Sequence, residues 1–193
     1  AINHSQNATE NKYTEYPFLD DKDKPIKCHE NLDHLMKQYN ISVRYNSVSR
    51  KVEMFGTDKT NINHSITHVY SLAHKNGFKL SKSDTVDFIE LISSENTYNP
   101  VTEYLDNAML KWDGIGRIQE LVDTLITDDE KINPTLKYEL VRAWLVSTVR
   151  ITKNTLYNPI NAEGLLVLQG KQGIGKTEWI KSLIPNDLRP YFK

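Results

Sequence analysis

A glycine loop between two apolar segments restricts this chain more than any other feature. Residues 165–168 read LLVL, a continuous apolar run that fits a buried strand of a parallel sheet. Residues 170–177 read GKQGIGKT, a full match to G-x-x-x-x-G-K-[ST]. Residues 178–183 are predicted to continue as a helix until Pro185 stops it. Strand, loop and helix thus occur in the order that a phosphate-binding loop requires.

The residue types follow from that task. Gly170 and Gly175 permit backbone angles and close approach that a Cβ would block, and Gly173 adds freedom that the pattern does not demand. The amides of Lys171, Gln172 and Ile174 complete an anion-binding nest, with the helix N-terminus contributing partial positive charge. Lys176 is expected to reach the β- and γ-phosphates, and the Thr177 hydroxyl to ligate Mg²⁺. The expected cofactors are therefore ATP and Mg²⁺.

Composition closes off other classes. An apolar content of 38% and a mean hydropathy of −0.56 describe polar surfaces. No run approaches the roughly 18 apolar residues of a membrane span, and no leader pattern is present, so the expected setting is cytoplasmic with no membrane partner. Cys28 is the only cysteine, which excludes an intrachain disulfide. The formal net charge of −1 hides an asymmetry. Residues 1–133 hold 15 Lys+Arg against 21 Asp+Glu, whereas residues 134–193 hold 9 against 4. A basic C-terminal part suits phosphate ligands, whether nucleotide or nucleic acid.

Periodicity divides the rest. Residues 1–26 are polar and include DDKDK, and read as a disordered arm or linker. Residues 27–96 read as a small α+β, winged-helix-like module. Leu32, Leu35, Met36 and Tyr39 share a helical face. A hairpin follows, with Val43, Tyr45, Val52 and Met54 alternating around a turn at residues 47–49. Ile62, Ile66, Val69, Tyr70 and Ala73 mark a second helix that Gly77 stops. Ser81 and Asp84 open a third with capping-box spacing, burying Val86, Phe88, Ile89 and Ile92. Residues 97–157 read as a helical subdomain. Asn99-Pro100 and Asn133-Pro134 signal helix starts, and Arg117 begins a further helix. The first of these helices is expected to turn Val101, Tyr104, Leu105 and Ala108 inward. The longest, to about residue 153, carries Leu136, Leu140, Val141, Trp144, Thr148 and Ile151 on one face. Residues 158–193 hold the strand, loop and helix.

In this order, NPVTEYLDNAMLKWDGIGRI, a tryptophan-bearing helix and LLVLQGKQGIGKT resemble the virulence-associated protein E family. The residues that carry the likeness are Asn99, Pro100, Val101, Tyr104, Leu105, Trp112, Asp113, Gly114, Arg117, Ile118 and Trp144, then residues 170–177. The resemblance spans about residues 80–185. These are P-loop ATPases of phages and mobile genetic elements, related to superfamily 3 helicases and often joined to a primase. The resemblance implies an α+β, mostly helical chain ending in the truncated start of a P-loop, AAA+-like ATPase domain. It also implies replication of a mobile element, with ATP hydrolysis driving movement along single-stranded or forked DNA. The intact parent is expected to form a homo-oligomeric ring and to meet replication or phage proteins, and this chain to be monomeric. Such motors need an acidic strand end, a polar sensor and a neighbour's arginine well beyond the loop. The sequence here is therefore expected to be a front portion that does not turn over ATP alone. The alternative is a non-enzymatic DNA- or protein-binding module with a remnant loop. A small-molecule kinase does not fit, because such enzymes usually open with the loop.

Other constellations are weaker. Arg44, Arg50 and Lys51 at the hairpin, and Arg142 and Arg150 on the long helix, are candidate nucleic-acid contacts. In WDGIGR the expected arrangement is Trp112 packed in the core and Arg117 paired with Asp113. His64 and His68 stand i, i+4 on one helix, but no ligand spacing joins them to Cys28, and exposed or half-buried histidines are expected. Trp144 is expected in the core.

Overall fold

The first helix, α1 (His29–Gln38), forms because Leu32, Leu35 and Met36 repeat at helical spacing and all three are buried. The computed structural model describes residues 16–57, 61–127, 132–154, 159–161 and 164–191. The chain divides into two compact units, residues 1–98 and 99–193.

In the first unit, α1 ends through Asn40, which takes a left-handed φ of 55°, and the Ile41 amide bonds back to the Met36 carbonyl at 2.9 Å. Strand β1 (Ser42–Asn46) then runs antiparallel to β2 (Lys51–Phe55), with Val43 opposite Met54 and Tyr45 opposite Val52. These four residues share the face expected of them, and Val43 is buried. Asn46 closes the turn. Its Oδ1 accepts from the amides of Val48 and Ser49, and its Nδ2 donates to Glu53, so a fully buried carboxamide is satisfied. Gly56 leaves β2 at φ +78°, with its backbone against Asn40.

Helix α2 (Ile62–Lys75) starts at Asn61, whose side chain accepts from the Asn63 amide. Gly77 at φ +75° turns the chain out of it. Helix α3 (Lys82–Glu95) opens with the expected reciprocal capping box of Ser81 and Asp84. A two-residue strand, β3 (Thr97–Tyr98), then pairs parallel to β1, giving the sheet order β2-β1-β3. All three helices contact the sheet. The core joins Leu32, Leu35, Met36, Ile41, Val43, Val69, Leu72, Ala73, Phe78, Leu80, Ile89 and Ile92. Residues 16–26 bear on it too: the Tyr16 ring lies tilted against that of Phe78, centroids 5.4 Å apart, and Asn31 exchanges hydrogen bonds with the Phe18 backbone. Burial and the neighbouring Tyr39 push the Tyr16 phenol up to about 12. The unit is α+β with a small mixed sheet; the finer winged-helix description does not follow from this strand order.

The second unit is helical among its described residues. It contains α4 (Pro100–Leu110), α5 (Ile118–Asp123), α6 (Pro134–Ile151), α7 (Lys176–Ser182) and a 3₁₀ turn (Asn186–Tyr191). Asn99 and Asn133 cap α4 and α6 from just before a proline, as their spacing predicts. Helix α5 packs on α6, where Val122 and Val141 are buried and Lys137 Nζ donates to the Leu125 carbonyl at 3.0 Å. At the α4 end, Thr102 bonds to the Thr152 carbonyl and Lys153 pairs with Asp106. The apolar faces are less covered than periodicity predicts. On α6, Leu136, Leu140 and Ile151 are exposed and Trp144 is half-buried; on α4, Ala108 is exposed.

Candidate functional site

The 170–177 loop leads directly into α7. Gly173 and Gly175 sit at φ +84° and +86°, a region that a side chain rarely adopts, so these positions require glycine for their backbone alone. At Gly170 a Cβ would stand 2.7 Å from Ile174 Cδ1, a clash that the end of that side chain can relieve by turning. Gly175 is the N-cap of α7, and the Trp179 amide closes the first turn on the Gly175 carbonyl at 2.9 Å.

Within the loop, Lys176 Nζ donates to the carbonyls of Gly170 at 2.9 Å and Lys171 at 2.7 Å. The ammonium is thereby folded over the loop, with Lys176 itself half-buried. Lys171, Gln172, Gly173, Ile174 and Thr177 are exposed. Downstream, Glu178 pairs with Lys181 at 2.9 Å. Trp179 reaches to Thr124 after α5, its Nε1 donating to Oγ1 at 2.8 Å. That contact was not visible in the sequence, because nothing in the spacing of residue 179 names a partner 55 positions away.

The upstream run corrects an expectation. Residues 165–168 form no strand, and Leu165 and Val167 are 85% and 71% exposed. An extended segment becomes a strand by exchanging backbone hydrogen bonds with a neighbour, and no ladder is formed with this run among the described residues. Leu166 and Leu168 are half-buried, so the alternation of an extended chain is kept without the ladder.

The candidate nucleic-acid contacts fall on both units. Arg44 is half-buried with its guanidinium 3.9 Å above the Tyr98 ring, on the sheet face that also carries Asn46 and Glu53. Arg50 and Lys51 are exposed together at the hairpin turn, where Arg50 holds a left-handed φ of 56°. Arg142 and Arg150 are exposed on α6, Arg142 lying 3.5 Å from Glu139.

In the 112–117 loop the expected ion pair forms. Arg117 meets both carboxylate oxygens of Asp113, at 2.9 and 2.5 Å, and the Ile115 amide donates to the same carboxylate. These donors hold the Asp113 carboxyl down at about 2. Trp112, by contrast, is not in the core. It is 64% exposed, and its indole donates to the Ile115 carbonyl at 3.1 Å. The loop's own hydrogen bonds fix its shape, so burial of the ring is not needed to order it. His64 and His68 are exposed on α2, and no group of three metal-ligating side chains occurs among the described residues. No helix among them is long and apolar enough to cross a membrane.

Residues 105–191, from within α4 to the 3₁₀ turn, match the family model described as the virulence-associated protein E-like domain. That match supports assigning the segment to the virulence-associated protein E family. The match starts later than the resemblance read from the sequence, so Asn99, Pro100, Val101 and Tyr104 lie ahead of it. No curated protein and no solved structure matches the chain.

Proposed function

We propose that residues 170–177 bind the phosphates of ATP with Mg²⁺, as part of a motor that replicates the DNA of a mobile element. The match to the virulence-associated protein E-like domain supports a mobile-element protein family. The observation that carries the finer reading is the seat of Lys176, whose ammonium is held by two loop carbonyls beside glycines with positive φ. Those carbonyls keep a charged donor satisfied within the loop, and phosphate oxygens make stronger, charge-assisted partners for it. The loop amides supply further donors, and the exposed Thr177 hydroxyl supplies a Mg²⁺ ligand next to them. ATP, when bound, supplies the phosphoanhydride whose cleavage drives movement; this chain's part is to grip and orient it. The whole motor acts on single-stranded or forked DNA as a homo-oligomeric ring, beside replication or phage proteins.

The same seat favours this reading over a remnant loop in a purely DNA- or protein-binding module, since such a module has no use for a lysine folded onto the loop just after two positive-φ glycines. Amide hydrogen exchange tests the reading. Mg-ATP is expected to slow exchange across residues 170–177 while leaving α2 and α3 unchanged. Equal exchange with and without saturating Mg-ATP would contradict it.

A further inference from the structure

We infer that Trp179 and Thr124 form a positioning contact that sets the affinity of the 170–177 loop for nucleotide and reports its occupancy; the inference rests on the phosphate-binding reading above. Trp179 lies in the first turn of α7, the turn that also carries Lys176 and Thr177, and its amide closes that turn on Gly175. Its indole N–H donates to Thr124 Oγ1 at 2.8 Å, and the Thr124 hydroxyl donates in turn to the Leu121 carbonyl at 2.6 Å. A directional chain therefore runs from the loop's helix to the end of α5. Helix α5 is itself anchored: Val122 is fully buried, α5 packs on α6, and Lys137 ties the Leu125 carbonyl to α6.

Glu178 and Lys181 pair with each other on α7 and are exposed. The pitch of the first turn, and with it the direction of the Lys176 ammonium and the Thr177 hydroxyl, is thus referred to the α5–α6 pair through one indole. When phosphates draw Lys176 away from its two carbonyls, the turn carrying Trp179 shifts, and the indole N–H registers the change against a fixed acceptor. Trp179 touches neither phosphate nor metal in this scheme; it acts through the two residues that do.

The test uses the full 193-residue chain, uniformly ¹⁵N-labelled, with Mg-ATP as the probe. The chain has three tryptophans, hence three indole N–H resonances, assigned by single Trp→Phe variants. Mg-ATP is expected to displace the Trp179 resonance and to leave that of Trp112, bonded to Ile115, in place. Thr124→Val keeps the side-chain shape and removes the acceptor. It should move the Trp179 resonance in the free chain and weaken Mg-ATP binding by about threefold to tenfold, the worth of one hydrogen bond. Thr124→Ser should restore both. If Thr124→Val fails to fold by circular dichroism, Trp179→Phe removes the donor instead and should weaken binding alike. A Trp179 resonance indifferent to bound Mg-ATP, or an affinity unchanged in these variants, would overturn the contact's role while leaving the phosphate site standing. No binding of Mg-ATP to the unaltered chain would overturn both.

Discussion

Gly56 and Arg50 occupy the same backbone region, and only one of them suits it. At Gly56, φ is +78° and an added Cβ would lie 1.9 Å from the Asn40 carbonyl oxygen, so no local adjustment of a side chain can make room. Gly56→Ala should destabilise the first unit by about 2–4 kcal/mol, read as a lower midpoint in denaturant melts. Arg50 sits at φ +56° in the hairpin turn with an exposed side chain, where glycine is unstrained. Arg50→Gly should stabilise the same unit by about 0.5–1 kcal/mol. If Arg50 also meets a phosphate backbone, that variant should lower DNA affinity to a similar degree across sequences and reduce the salt slope by about one. Stability and DNA binding would then move in opposite directions. At Asp113 the sign is also fixed. Its carboxyl is held at about 2, below the ordinary 3.8, by Arg117 and the Ile115 amide. A depressed carboxyl contributes stability that is fully present above its unfolded value and is lost as pH falls through the folded one. The loop bonds should therefore hold at neutral pH and give way between about pH 4 and pH 2. Arg117→Gln should return the Asp113 titration, followed by ¹³C NMR, toward 3.8, and an unchanged value would remove Arg117 as the cause.

At the scale of elements, local chemistry was the most legible. The reciprocal bonds of Ser81 and Asp84, the Asn99 and Asn133 caps and the pairing of Val43 with Met54 all follow from residue types at fixed offsets. The elements that escaped the sequence depend on distant partners. Strand β3 is two residues long and exists because Asn46 lies opposite Tyr98, 52 positions away. Two residues carry no period to read. The 165–168 run failed in the opposite direction, since its composition is that of a buried strand while a ladder requires a neighbour. Trp112 misled for a related reason: a large ring counts as core by composition, yet its loop is ordered by Asp113 and Arg117. Of the candidate site, the glycines and Lys176 were legible as a motif. The folded-back lysine and the Trp179–Thr124 contact were not, because the first depends on how the loop backbone turns its carbonyls and the second on a partner 55 positions away.

For the whole molecule, the two units differ in what holds them. Twelve buried apolar residues make one cluster in the first, whereas Val122, Val141 and Leu188 are the buried apolar residues among those described in the second. At about 1.5–3 kcal/mol per fully buried large side chain, the first unit has by far the larger reserve against unfolding. Limited proteolysis should therefore cut within residues 99–193 before it cuts within α1, α2 or α3, and the reverse order would contradict this. The proposed function rests on the less buried unit, so ligand binding there should raise its resistance. The most direct test of the central claim is the dissociation constant for Mg-ATP of the unaltered chain against Lys176→Ala, by calorimetry. Saturable binding that weakens at least about tenfold on losing the charge-assisted contact is the predicted result. Equal affinity in the two proteins, or no binding by either, would contradict it.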